Sequence, residues 1–471
     1  MNHPRMYRDK EVVVLGLARS GVAAAKLFRE YGARVIVNDR KERAQCPEAD
    51  PLEALGISVV CGGHPDELIH PGVSLVVKNP GIPYTAAPVQ RALKLGLEVV
   101  TEVEVAYHIC RAPMIGITGS NGKTTTTTWI GNILKAAGLR PVVAGNIGTP
   151  LCEAASEAAA DQWMVVELSS FQLKGTRMFR PRIACLLNVN ESHMDYHHTM
   201  EDYIQSKANI FANQTADDIA VLNWDDPVCR QLAGKVRAHI VPFSSRQALP
   251  YGVCLEGEDR AADDARAFVV YRDRQGIAHP VVNVGEIGVP GAHNVENALA
   301  ATAVTIAAGV QPEVIGRALK EFRGVEHRLE FVADKRGVAY FNDSKSTNVA
   351  AAIKALESFR RPIVLIAGGQ DRNVDFMELV PYFRERVKAI VTLGETRDKL
   401  IRAAKLAGLT RIRSVDNETS AAETLRKAVR EASGFAESGD VVLLSPACAS
   451  WDMFASYEER GRIFKESVHN L

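Results

Sequence analysis

Short apolar runs recur along this chain, each broken by a polar or glycine-bearing turn and followed by a stretch whose apolar residues repeat at helical spacing. Near the start, residues 12–16 (VVVLG) predict a strand, 20–32 (SGVAAAKLFREYG) a helix and 34–39 (RVIVND) a second strand. That succession is half of a doubly wound α/β unit. A second series begins near 101–113, with further strands expected at 165–168 and 183–189 and a helix from Met200 onward. Residues 247–290 alternate short apolar runs with turn residues, which predicts a small antiparallel section before an Ala-rich helix at 295–308. From Val338 the first pattern returns, with strands expected at 338–341, 363–367, 389–393 and 441–444.

Three such series in 471 residues predict about three α/β domains, at 1–102, 103–324 and 325–471, with ligand sites expected in the clefts. The 46% hydrophobic and 24% charged residues allow a sizeable core. Lys plus Arg equals Asp plus Glu at 56 each, so no overall field favours nucleic acid or an anionic membrane. Local clusters must therefore bind any anion. Eight cysteines without a C-x-x-C pair or zinc spacing predict a reduced protein. The N-terminal MNHPRMYRDK has no apolar signal core, and the mostly apolar 298–310 is too short to span a bilayer. A soluble cytoplasmic protein is expected.

The densest chemistry lies at 117–125, ITGSNGKTT, where an apolar run meets a turn and a helix start. In the run Gly119-Ser120-Asn121-Gly122 the glycines let backbone N–H groups converge on phosphate oxygens, Lys123 adds a point charge, and Thr124, followed by Thr125, can ligate Mg²⁺. The general P-loop pattern wants its first glycine at 117, which is Ile117, so a tighter loop is expected. The alternative is an ordinary Gly-rich strand-to-helix turn. In the first domain the loop from Gly16 to Gly21 has Ala18 where a dinucleotide fingerprint wants its second glycine, which argues against a nicotinamide cofactor. Asp39 stands where a ribose could be met, or simply ends a strand in a turn.

Glu167 closes an apolar strand beside the loop and can hold Mg²⁺, or cap the turn with Ser169 and Ser170. NVNESHMDYHHT offers His193, Asp195, His197 and His198, with His193 at a strand's C-terminal end, where ligands collect in open α/β sheets. Lys207 lies near the apolar stripe of its helix; it either snorkels or, desolvated and neutral, reacts with CO₂ to give a carboxylate-like carbamate. Asn294 and Asn297 sit on a first helical turn and suit an adenine edge, though Asn294 could be a cap. Glu326-His327-Arg328 and the run from Asn342 to Asn348 suit phosphates or solvated turns.

Together TGSNGKTT, ELSSFQL, NVNESHMDYH with Lys207, GAHNVENALAA, EHRLE, NDSKSTN and LLSPACASWDMFASYEERGRIF resemble the Mur ligases, in that family's order across residues 16–464. The SPACAS-W-D segment is similar to the D-glutamate-adding branch. The resemblance implies a Rossmann-like UDP-binding domain, a P-loop ATPase-like central domain and a Rossmann-like C-terminal domain for the amino acid. It implies that Lys123 contacts ATP phosphates, that Thr124 and Glu167 hold one Mg²⁺, and that His193 and carbamylated Lys207 serve a second, with Mn²⁺ as a substitute. Asn294, Asn297, Arg328, Asp343 and Lys345 fall on positions around the nucleotide. Ser20, Asp39, Arg40, Lys41 and Asn146 fall where the family holds the UDP-sugar. Thr347, Arg372, Ser450 and Tyr457 fall where it holds D-glutamate, with Arg372 standing where some members carry Lys.

The implied reaction is cytoplasmic peptidoglycan precursor synthesis. ATP phosphorylates the carboxylate of UDP-N-acetylmuramoyl-L-alanine, and D-glutamate's amine displaces phosphate from the acyl phosphate, leaving ADP and an amide. Lys123, His193, Lys207 and Arg328 are the expected catalytic residues, and closure about a hinge near 325 is expected to assemble them with the rest. A monomer with no nucleic-acid or membrane partner is expected. The rivals are ligases for another amino acid, a nucleotide-sensing regulator and an NAD-dependent dehydrogenase.

Overall fold

The computed structural model describes residues 1–257, 266–416 and 418–471. Its first sheet comprises β1 (Glu11–Leu15), β2 (Arg34–Asp39), β3 (Ser58–Cys61), β4 (Val73–Lys78) and β5 (Val99–Val100), all parallel in the order β3-β2-β1-β4-β5. Helices cover both faces, so Val12 to Leu15 are buried without alternation, and β1 reads as a continuous apolar run. The helix following β1 runs Arg19–Glu30 and ends where Gly32, at φ +86°, turns the chain into β2.

The second sheet holds β6 (Met114–Thr118), β7 (Pro141–Gly145), β8 (Trp163–Glu167), β9 (Ile183–Leu186), β10 (Ile219–Asn223), β11 (His239–Ser244), β12 (Gly252–Glu256), β13 (Phe268–Arg272) and β14 (Ala278–Asn283). Their order is β14-β13-β12-β11-β10-β9-β6-β8-β7, parallel from β7 through β12 and antiparallel beyond. The antiparallel section expected within 247–290 is therefore an extension of this sheet; residues 258–265 of that stretch lie outside those described. The strand expected at 183–189 stops at Leu186, because the backbone of Asn188 is used by the glycine-rich loop: Ser120 N–H donates to its carbonyl at 2.9 Å.

The third sheet holds β15 (Glu330–Lys335), β16 (Val338–Asn342), β17 (Ile363–Ala367), β18 (Val387–Thr392), β19 (Ile412–Ser414) and β20 (Val441–Leu444), in the order β15-β16-β20-β17-β18-β19. Only β15 is antiparallel among these described strands. Three α/β sheets, mainly parallel, are thus the architecture expected from the alternation of strand and helix. Apolar clusters fill both faces of the third sheet.

The chain divides into two compact units. One comprises Met1–Gly285 with Glu296–Leu319 and carries the first two sheets; the other comprises Glu286–Val295 with Lys320–Leu471 and carries the third. Within the first unit Glu104, on the helix Glu102–Ile109 that links the two sheets, has a buried carboxylate that accepts from the N–H groups of Arg177, Met178 and Phe179 at 2.8 to 3.1 Å. Lys78, fully buried at the end of β4, reaches from the first sheet to the loop after β9, its Nζ donating to the Ile82 carbonyl at 2.9 Å and the Tyr196 hydroxyl at 3.2 Å. Among the described residues no helix is long and apolar enough to cross a membrane.

Candidate active site

The glycine-rich loop leaves β6 and enters the helix Lys123–Ala136 through Gly122, at φ +82°. A Cβ at Gly119 would approach Leu187 Cβ to 2.9 Å, and one at Gly122 would reach Asn297 Oδ1 at 2.2 Å, so both glycines are dictated by close approach. Ser120 Oγ lies 2.9 Å from the Tyr203 hydroxyl and donates to the Asn190 carbonyl at 2.9 Å, while Asn121 N–H donates to Asn188 Oδ1. Lys123 Nζ folds back on the Gly119 and Ser120 carbonyls at 2.8 and 2.9 Å. Thr124 is half-buried on the first turn, and Thr125 is buried.

Lys207, 1% exposed, donates to the same Gly119 carbonyl at 2.8 Å. Burial, and then the Lys123 charge, push its pKa down to about 6, so the amine is mostly neutral at pH 7. Snorkelling is excluded, because the ammonium end does not reach solvent. Its Nζ also stands 4.6 Å from the Tyr203 ring centroid, on the preceding turn of the same helix. In the sequence Tyr203 counts only toward the apolar stripe beside Lys207; the signal for more is an aromatic hydroxyl four residues before a lysine on one helical face.

Glu167 ends β8 with its side chain 1% exposed. One carboxylate oxygen accepts from Asn146 Nδ2 at 2.8 Å; the other is buried with no hydrogen-bond partner. Such an orphan is costly unless a ligand completes it, and a hard divalent cation fits that need. Ser169 rather than Glu167 makes the turn cap, accepting from Gln172 N–H. Asn146, expected beside the sugar nucleotide, is thus placed against a candidate metal ligand.

The histidine loop divides by environment. His193 is exposed at φ +59°, and partial burial, with the Lys123 charge next, lowers its pKa from the ordinary imidazole value. His197 is buried between Asp202 Oδ2 at 2.7 Å and Ser170 Oγ at 2.9 Å, which holds the loop while His193, the histidine favoured from its place at a strand end, stays open. Asp195 and His198 are exposed. Among the described residues no group of three or more His, Cys, Asp or Glu converges, so a cation here would need the mixed donors Thr124, Glu167 and His193 and a modified Lys207.

In the first domain Asp39 accepts from Leu17 N–H at 2.8 Å and Lys41 N–H at 3.0 Å, which ties the turn after β1 to the turn after β2. Ser20 Oγ donates to Asn79 Oδ1 at 2.6 Å, and a Cβ at Gly16 would collide with that Asn79 side chain. Ala18 forms the helix N-cap, with extended backbone and no capping side chain. Arg40 and Lys41 are exposed. The geometry shows a built turn, with both Asp39 carboxylate oxygens accepting backbone N–H groups.

In the C-terminal unit Asp343 is buried at the end of β16, accepting from Ser445 Oγ at 2.9 Å and Leu329 N–H at 3.2 Å. Burial pushes its pKa up to about 7, against the Arg328 charge. Arg328 is exposed between two positive-φ residues, His327 and Leu329. Lys345 Nζ stands 5.7 Å from the Tyr457 ring centroid. Arg460, 1% exposed, supports the 342–348 turn through Ser344 at 2.8 and 3.0 Å; its buried position was not legible in a charge-rich helix. Thr347 is half-buried and Ser450 buried. Asn294 donates to Pro290 O at 2.6 Å, while Asn297, one turn on in the helix Ala292–Ala307, lies 3.3 Å from Thr126 Oγ1.

The sequence matches three family descriptions in succession: "Mur ligase MurD-like, N-terminal domain" over residues 10–101, "Mur ligase middle domain" over 117–305 and "Mur ligase, glutamate ligase domain" over 327–448. It is 51% identical over the full length of both chains to the UDP-N-acetylmuramoylalanine–D-glutamate ligase of Geobacillus kaustophilus. With the Bacillus cereus protein of the same name the identity is 48%, over 99% of this chain and 98% of the other. The crystal structure of the UDP-N-acetylmuramate–alanine ligase of Thermotoga maritima superposes with a TM-score of 0.57 at 19% identity, covering 98% of this chain and 99% of that one, which shows the shared fold. With all three domains matched in order and half the residues identical end to end, this chain belongs to the Mur ligase family.

Proposed function

We infer that the chain joins D-glutamate to UDP-N-acetylmuramoyl-L-alanine at the expense of ATP, in the cytoplasm, as a step of peptidoglycan precursor synthesis. The observation that carries the phosphoryl chemistry is the buried Glu167 carboxylate, one oxygen held by Asn146 and the other without a protein partner, beside the loop that presents Lys123. The choice of amino acid rests on the full-length relatives named for that reaction.

In this reading Lys123 leaves the Gly119 and Ser120 carbonyls for the phosphates, and the N–H groups of Gly122 to Thr125 at the start of the helix line the phosphate chain, while those of Ser120 and Asn121 stay bonded to Asn188 and hold the loop's shape. Thr124 and Glu167 hold one Mg²⁺; His193 and a carbamate on Lys207 hold a second. Bound Mg²⁺ screens the γ-phosphate charge that would otherwise repel the substrate carboxylate. Asn146 positions both Glu167 and the acyl end of the substrate. Ser20, Asp39, Arg40 and Lys41 hold the uridine diphosphate. Asn294 and Asn297 serve the adenine edge, and Arg328, Asp343 and Lys345 the nucleotide phosphates and ribose. Thr347, Arg372, Ser450 and Tyr457 hold D-glutamate, whose amine attacks the acyl phosphate.

The test is phosphate release by the purified chain with ATP, Mg²⁺ and UDP-N-acetylmuramoyl-L-alanine, comparing D-glutamate with L-glutamate, L-alanine and meso-diaminopimelate. Turnover with D-glutamate alone is expected. Turnover with a different amino acid would move the enzyme to another ligation step, and none with any would remove the ligase reading.

A further inference from the structure

Two loops leave the C-terminal ends of the adjacent parallel strands β17 and β20, and they are laced edge to edge. Gly368 N–H donates to the Pro446 carbonyl and Gln370 N–H to the Ala449 carbonyl, both at 3.0 Å. A Cβ at Gly369 would stand 2.4 Å from Ala449 O, so the approach depends on glycine, at φ +156°. Two residues beyond the last bonded pair, each loop presents one large side chain: Arg372 from the first and Trp451 from the second. The Arg372 guanidinium carbon lies 5.0 Å from the Trp451 ring centroid. Trp451 is 65% exposed, a costly place for an indole that fills no core.

Arg372 has little else to hold it. Its Nε donates to Gln370 Oε1 at 3.3 Å, and no carboxylate among the described residues pairs with it. The neighbouring acids are otherwise engaged: Asp371 with Lys399 at 2.7 Å, Asp452 with Glu395 N–H and Glu395 with Asp371 N–H. An exposed arginine samples many rotamers, and an aromatic face beneath the guanidinium limits them while leaving its N–H edge open for a planar carboxylate. Ser450, next to Trp451, is buried on the same loop, so the stack stands beside a residue already placed in the amino-acid site.

We propose that Trp451 is a specificity-determining positioning residue for the amino-acid substrate, its indole face holding the Arg372 fork toward a D-glutamate carboxylate. This rests on the reading of Arg372 as a D-glutamate contact. The experiment measures steady-state phosphate release by the full chain for Trp451→Ala, Trp451→Phe and Arg372→Ala, varying D-glutamate at saturating ATP and sugar nucleotide. Trp451→Ala raises KM for D-glutamate roughly two- to fivefold, the worth of one exposed cation–π contact, with kcat and the other two KM values unchanged. Trp451→Phe restores most of the loss. If Trp451→Ala leaves KM for D-glutamate unchanged while Arg372→Ala raises it, the stack is overturned and the contact stands. If neither substitution moves that KM, the contact reading itself falls. An equal rise in all three KM values in Trp451→Ala overturns the proposal in favour of general loop support.

Discussion

Burial of Lys207 beneath the glycine-rich loop, with the Lys123 ammonium on the same Gly119 carbonyl, removes the hydration that keeps an exposed lysine charged. With its pKa near 6 the amine is nucleophilic at neutral pH, and attack on CO₂ with loss of a proton yields the anionic carbamate proposed as a metal ligand. Lys207→Ala is expected to lower turnover by about 10- to 100-fold, the scale seen when support for a metal site is lost, with partial rescue by acetate or formate. ¹³C-bicarbonate should give a carbamate carbonyl resonance in the parent protein that Lys207→Ala lacks. The sign with pH follows from the lowered pKa: as pH falls through about 6 the amine protonates, the carbamate reverts, and both resonance and activity decline. Equal resonances in the two proteins would remove the carbamate. From sequence, Lys207 was ambiguous between a solvated and a buried amine, because helical spacing gives the face but not the depth.

At the level of elements, the helix Lys123–Ala136 starts where it does because Gly122 adopts a left-handed conformation with Asn297 packed against its bare Cα. Gly122→Ala combines backbone strain of about 1–2 kcal/mol with displacement of Asn297. We expect a Tm a few degrees lower and a KM for ATP raised about tenfold. Gly138→Ala, at φ +77° with open space around it, is the matched control and should lower Tm without moving that KM. Equal KM values in the two variants would detach Asn297 from nucleotide binding. Strand β6 and this helix were legible because an apolar run, a glycine pair and a Lys-Thr start coincide. Strand β15 was not, since its half-buried EFVADK carries no apolar period, and its pairing with β16 decides its conformation. Tertiary demand likewise ended the strand after Leu186, where Asn188 is needed by the loop.

Across the whole molecule, the proposed substrates divide between the two units: the sugar nucleotide's UDP end meets the first and D-glutamate the second. Amide hydrogen exchange tests this. UDP-N-acetylmuramoyl-L-alanine should protect segments around residues 16–21 and 39–41, and D-glutamate, added with the other substrates' non-reactive analogues, segments around 347, 368–373 and 450–457. Protection of the C-terminal unit alone by the sugar nucleotide would overturn the assignment. The sequence by itself determined the alternation of buried strands and amphipathic helices, the glycine-rich phosphate loop and the family, because these depend on local period and on residues close in the chain. Only the tertiary structure decided which candidates share an environment. It joined Asn146 to Glu167 across 21 positions and brought Lys207 to Gly119 across 88, buried His197 while leaving His193 open, and stacked Trp451 on Arg372. Distance, burial and orphaned hydrogen-bond capacity arise from packing between segments, and no local pattern encodes them.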